Sequence, residues 1–358
     1  MINKDLESDR KNFTDTTMSA IADLFPGYFA VVMATGIVSI AAKFLGPEPA
    51  AWVLLGINVA AYTLLSVFLL VRIVRFFPRV KADITDHVRG PGFFTVPAGT
   101  CVLGSQLILV GGYFAPAAIL WFIGLILWIF IMYVFFTAVT THDQKPPLDK
   151  ALSGTWLLAV VSTQSIAVLG TLLVVYFTRY HEELLFFTTC MFLIGCMLYL
   201  LLITLIFYRF TFVDLTSERL TPPYWINMGA VAITTLAGAR LILSAGESRV
   251  VTEILPFLKG FTLFFWAAGC WWIPLLFILG IWRHVYMRYP LRYEPQYWGL
   301  VFPLGMYTVC TIQLSRVFDF PQLLIIPRVF VFLAYAAWLV AFGAMLYSFV
   351  SRPKMITE

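Results

Sequence analysis

The chain has 358 residues, 61% of them hydrophobic and 12% charged, with a mean hydropathy of +0.88. A soluble domain carries about a quarter charged residues, so this composition excludes one, and no hydrophilic stretch is long enough to fold alone. The formal charge of +5 does not imply a nucleic-acid partner, because the Lys and Arg residues flank apolar runs instead of covering a soluble face.

In chain order, residues 1–24 are polar and mixed in charge, lack a basic-then-apolar signal pattern, and read as a cytoplasmic N-terminal arm. Ten runs then reach the ~20 helical residues that cover a bilayer core. They fall at 26–45, 52–76, 92–112, 117–140, 151–177, 183–208, 224–245, 255–282, 297–318 and 325–350, spans 1 to 10 of one transmembrane domain over 25–350. Residues 351–358 read as a cytoplasmic tail. Turn-like links at Gly46-Pro47-Glu48-Pro49, Gly111-Gly112-Tyr113 and Asp319-Phe320-Pro321 make consecutive spans antiparallel neighbours. The expected fold is an all-α integral membrane protein of five helical hairpins in series, with no clear repeat at the residue level.

Most Lys and Arg lie in the arm, the tail and the loops after spans 2, 4, 6 and 8, which predicts cytoplasmic termini in a cell (plasma or inner) membrane. On this reading the cluster from Arg72 to Arg89 is an orientation anchor that meets lipid headgroups. The five cysteines (Cys101, Cys190, Cys196, Cys270, Cys310) all sit in apolar runs without metal-ligand spacing and read as small core residues.

Odd and even spans differ in texture. Ser, Thr, Asn, Gln, Gly and Pro number 36 in 20-residue windows of the odd spans and 16 in those of the even spans. Helix-breaking and polar residues are tolerated around a cavity, so the odd spans are expected to be inner helices around a central pore; close helix packing is the alternative use of small residues. Pro97 and Pro303 are expected to kink spans 3 and 9. No Asp or Glu falls in the interior of any span, whereas Lys43, Arg240 and Arg316 lie within or just inside spans 1, 7 and 9. Intramembrane charges usually mark a pathway. Helical spacing sets Ser39 with Lys43, Thr95 with Gln106, and Phe302 with Gln313 and Arg316, each set on one face. If those faces converge, a cationic mouth grades inward to hydroxyls, amides and then Phe302, a field that attracts anions. The other reading has each cation reaching to the outer headgroups; Arg240, about five residues deep, favours the first.

Three segments carry a resemblance: Phe25-Pro26-Gly27-Tyr28-Phe29-Ala30, Phe94-Thr95-Val96-Pro97-Ala98-Gly99 and Tyr297-Trp298-Gly299-Leu300-Val301-Phe302-Pro303-Leu304-Gly305. They are similar to the first, third and ninth helices of the tellurite-resistance/dicarboxylate transporter family, which includes the slow-type anion channels of plants, the yeast malate permease and the fungal sulphite efflux protein. The resemblance implies a quasi-symmetric arrangement of the hairpins, one pore per subunit in a homotrimer, and Phe302 as an aromatic gate. The expected activity is that of an anion channel or channel-like uniporter for small inorganic anions or organic acids, working within membrane lipid. The alternative is a proton-linked C4-dicarboxylate (malate) carrier or a sulphite or tellurite oxyanion carrier. No cofactor or metal is expected. Catalysis is not expected either, because His142-Asp143 and His181-Glu182-Glu183 are isolated loop charges.

Overall fold

The structure, a computed structural model, describes residues 17–350. Residues 1–16 of the expected arm and all of the expected tail lie outside the described residues. Among the described residues there is no strand, and ten helices are long and apolar enough to cross a membrane. They are α1 (Ala30–Leu45), α2 (Glu48–Arg75), α3 (Thr95–Gly111), α4 (Phe114–Thr141) and α5 (Leu158–Leu173), then α6 (His181–Phe212), α7 (Ile226–Leu243), α8 (Leu255–Ile281), α9 (Trp298–Val317) and α10 (Ile325–Val350). Nine of them begin and end within four residues of the expected spans, and α5 starts seven residues later than its expected span 151–177.

Burial separates two classes. In the odd-numbered spans 78% to 94% of the most apolar window is buried, against 17% to 39% in the even-numbered ones. The inner helices form a closed ring, with α1 against α3, α3 against α5, α5 against α7, α7 against α9, and α9 back against α1. Each outer helix packs on the inner helix before it in the chain and also touches the inner helix of the following pair. The outer helices carry long side chains to the lipid side, such as Val53, Ile126, Phe130, Leu201, Phe264 and Phe332. Part of the expected arm packs on the helices: Ile21 and Ala22 are buried, and Arg72 at the end of α2 donates to the Ala22 carbonyl.

A five-fold repeat emerges that the sequence reading missed. Every inner helix is preceded by a 3-10 turn: Pro26–Phe29, Gly90–Phe94, Gly154–Leu157, Pro222–Trp225 and Pro295–Tyr297. Proline stands in the first positions of four of them, where its missing N–H is one the helix start cannot pair anyway. Each turn also carries an aromatic ring, and the five turns touch one another in the same cyclic order as the helices.

The second repeat is a set of hydrogen bonds from each outer helix to the next inner helix. Trp128 Nε1 donates to Thr163 Oγ1 (2.8 Å), Trp266 Nε1 to Thr311 Oγ1 (3.0 Å) and Trp338 Nε1 to Thr35 Oγ1 (3.0 Å). The Tyr62 and Thr100 hydroxyls meet at 3.1 Å, and Tyr199 Oη donates to the Asn227 carbonyl at 3.3 Å. Small residues serve contact between inner helices. A Cβ at Gly229 of α7 would stand 2.7 Å from the Pro303 ring of α9, and one at Gly305 of α9 would stand 2.8 Å from Ile37 of α1. The polar, small texture of the odd spans therefore comes largely from close packing and inter-helix bonds, and only in part from residues facing the axis.

Candidate functional site: the axis of the inner ring

Two cavities lie within the ring, each of about 30 Å³, room for a water molecule or two. The first is bounded by all five inner helices in their second halves, each contributing one stripe at helical spacing. Its wall is Ile37, Ile40 and Phe44 of α1, Val102, Ser105 and Leu109 of α3, and Ser165, Val168 and Leu172 of α5, closed by Ile233, Leu236 and Arg240 of α7 and Met306, Val309 and Gln313 of α9. The second is bounded by the 3-10 turns and the first turns of the same helices, including Ala30, Met33, Thr95, Leu158, Ile226 and Gly299. Phe302 borders this second cavity, while Met306, one turn further along α9, borders the first. Phe302 is 1% exposed.

The wall is chiefly apolar, and its hydroxyls are already committed. Ser105 Oγ donates to the Cys101 carbonyl (3.0 Å) and Ser165 Oγ to the Val161 carbonyl (2.7 Å), so they turn lone pairs and not O–H donors toward the lumen. Thr95 Oγ1 donates to the Gly92 carbonyl at 2.7 Å and lies 3.3 Å from the Pro26 carbonyl, which joins the first two 3-10 turns.

Charge gathers where the inner helices end. Arg240 borders the first cavity beside Phe44 and Gln313, and its Nε is buried without a partner. The Arg316 guanidinium stands 5.5 Å from the Phe44 ring centre and 3.5 Å from Gln313 Oε1, although its side chain is exposed. Both lie in the last turn of their helices, where a cation also complements the helix dipole. No Asp or Glu is among the described residues lining either cavity.

Several expected placements need correction. Lys43 forms an ion pair with Glu48 and is neutralised in the α1–α2 link. Ser39 Oγ donates to the Ala51 carbonyl of α2 (2.7 Å), and Gln106 Oε1 accepts from Asn58 Nδ2 of α2 (2.7 Å), so both point outward from the ring. Asn58, fully buried on an outer helix, was not singled out in the sequence, though a lone amide in an apolar span was the available signal. Pro97 falls in the first turn of α3 and does not interrupt it, because that helix starts only at Thr95. Pro303 lies inside α9. The structure thus brings Thr95, Arg240, Phe302 and Gln313 to the axis, with Arg316 beside its mouth, and places Ser39, Lys43 and Gln106 elsewhere.

Residues 23–346 match the family described as SLAC1, voltage-dependent anion channel. An uncharacterized membrane protein of Mycobacterium tuberculosis is 41% identical over 151 residues, covering 42% of this chain and 76% of that protein. An uncharacterized transporter of Methanocaldococcus jannaschii is 26% identical over 313 residues, covering 86% of this chain and 88% of the relative. A protein of Arthroderma otae named as a sulfite efflux pump is 24% identical over 348 residues, covering 92% and 91% respectively.

Proposed function

Because the chain belongs to the SLAC1 voltage-dependent anion channel family, we propose that it is an anion channel or channel-like uniporter whose path runs along the ring axis and is closed at Phe302. The supporting observation is a pair of cavities bounded by all five inner helices, the second bordered by Phe302 and the first by Met306 one turn along. Arg240 lines the first, Arg316 stands beside Phe44 of its wall, and no carboxylate is among the described lining residues. In this reading the two cations concentrate anions at the mouth. The apolar wall then binds them weakly enough that they leave again. Cavities of about 30 Å³ are too small for a hydrated anion, so conduction needs the Phe302 ring to swing aside. Pro303, next in sequence, leaves the Gly299 carbonyl without its helical donor and loosens α9 at that point.

The substrate class we assign is small inorganic anions and oxyanions, with the protein in the cell membrane, its termini cytoplasmic and three copies assembled. The name of the Arthroderma relative favours one second reading, a sulphite or related oxyanion carrier. Among the described residues no carboxylate or imidazole lines the axis to relay a proton, so proton linkage would have to travel on the protonated substrate. Purified protein in vesicles, offered chloride, nitrate, malate and sulphite in turn, tests both. The channel reading expects flux proportional to the electrochemical gradient. Saturation with uphill accumulation on a pH gradient would replace it with the carrier, and no flux of any anion would remove both.

A further inference from the structure

Three outer helices carry a buried arginine at or near their ends, at the N-terminal mouth of the ring: Arg72 in the last turn of α2, Arg209 in α6 and Arg283 just beyond α8, at 2%, 5% and 5% exposure. The first two have polar partners, although Arg72 Nη1 is itself buried without one. Arg72 pairs with Asp83 and donates to the Ala22 carbonyl, and Arg209 donates to the Leu152 carbonyl while lying over the Tyr224 ring. Arg283 differs. Among the described residues its guanidinium has no ion pair and no hydrogen bond, its Nε is buried without a partner, and only the Tyr289 ring lies under it, at 4.3 Å. A largely buried guanidinium without an ion pair is costly to keep.

The space for an anionic partner is present. Arg283 borders a cavity of about 180 Å³ with His284, Thr221 and Tyr224, and the Tyr224 hydroxyl is also buried without a hydrogen-bond partner. The chain around Arg283 is widened into a π-helical turn, Trp282–Tyr286, a local form common at functional sites. No acidic residue lines this cavity. Leu291, Tyr297 and Leu300 border both this cavity and an adjoining larger groove of about 480 Å³ between α9 and α10. That groove is lined by Ala336, Ala337, Ala341 and Ala344 of α10 and by Arg292. The four alanines give this stretch of α10 a small-residue face that forms a shallow trough.

We propose that this is a binding site for one anionic phospholipid of the leaflet at the N-terminal mouth. The phosphodiester takes the open donors of Arg283 and Tyr224, and an acyl chain lies along the alanine trough. A cationic pocket that shares a wall with an apolar groove favours a lipid over a free anion, which would use only the pocket.

Thermal unfolding of the full chain in detergent, followed by tryptophan fluorescence, tests the site with three additions: dioleoyl phosphatidylglycerol, dioleoyl phosphatidylcholine and inorganic phosphate. Phosphatidylglycerol alone is expected to raise the midpoint, by about 3 °C or more. Arg283→Gln should abolish that rise. Ala336→Trp, on the exposed face of α10, should abolish it by filling the trough, and decides the matter if the arginine variant does not fold. An equal shift with phosphatidylcholine, or the full shift with inorganic phosphate, overturns the proposal. So does an Ala336→Trp protein that keeps the phosphatidylglycerol shift but changes sedimentation size, since the trough would then hold a second copy of the chain. None of these readouts depends on anion flux.

Discussion

Replacing Phe302 by Ala separates a gate from a packing residue. The ring is 1% exposed, and in an ordinary core its loss costs about 3–5 kcal/mol, because the cavity left behind stays empty. On the proposed path the deletion instead enlarges the second cavity toward Met306, which borders the first, into a lumen that water can enter. The expected cost then falls toward the transfer term alone, about 1.5–3 kcal/mol. Flux should rise at the same time. Removing a steric and drying barrier of only about 1.4 kcal/mol gives a tenfold increase, so at least that much anion current is expected in planar bilayers. Phe302→Leu should fall between the two. A folded Phe302→Ala protein with wild-type current and a stability loss at the upper end of the range would show that the ring is packing and the path lies elsewhere.

Arg240→Gln should lower the anion-over-cation permeability ratio severalfold, whereas Lys43→Gln should leave reversal potentials unchanged because Glu48 already neutralises Lys43; the same shift from both variants would discount the axial placement of Arg240. Trp338→Phe removes the donor to buried Thr35 and should cost about 1 kcal/mol of stability with little change in selectivity. Unaltered thermal unfolding would show that this inter-helix bond carries no weight. His87 is held below its usual pKa, first by burial and then by nearby His142. The folded protein therefore binds fewer protons than the unfolded one between that lowered value and about 6.5. Its contribution is present above about pH 6.5 and is lost as pH falls through the folded pKa. A smaller drop in unfolding temperature between neutral and mildly acidic pH in His87→Gln is the expected sign, and an identical drop would exclude it.

Composition and span length by themselves determined the ten helices, their pairing through short links and the division into inner and outer sets, because hydrocarbon tolerates polar and helix-breaking residues only where neighbours cover them. They also set depth: with antiparallel alternation, Lys43, Arg240 and Arg316 had to lie at one end, and all three occupy the last turns of their helices. Rotation about each inner helix was another matter. α1 and α3 are buried on nearly every face, so no apolar stripe distinguishes the axial side from the sides meeting α2. Ser39 and Gln106 were therefore expected on the axis, whereas Ile37, Ile40 and Ser105 occupy it. The five 3-10 turns escaped notice for a related reason: their sequences share only a Pro or Gly and a ring, and the common role comes from contact around the mouth. Only the closed ring, which fixes which side of every helix meets which neighbour, could decide what faces the lumen.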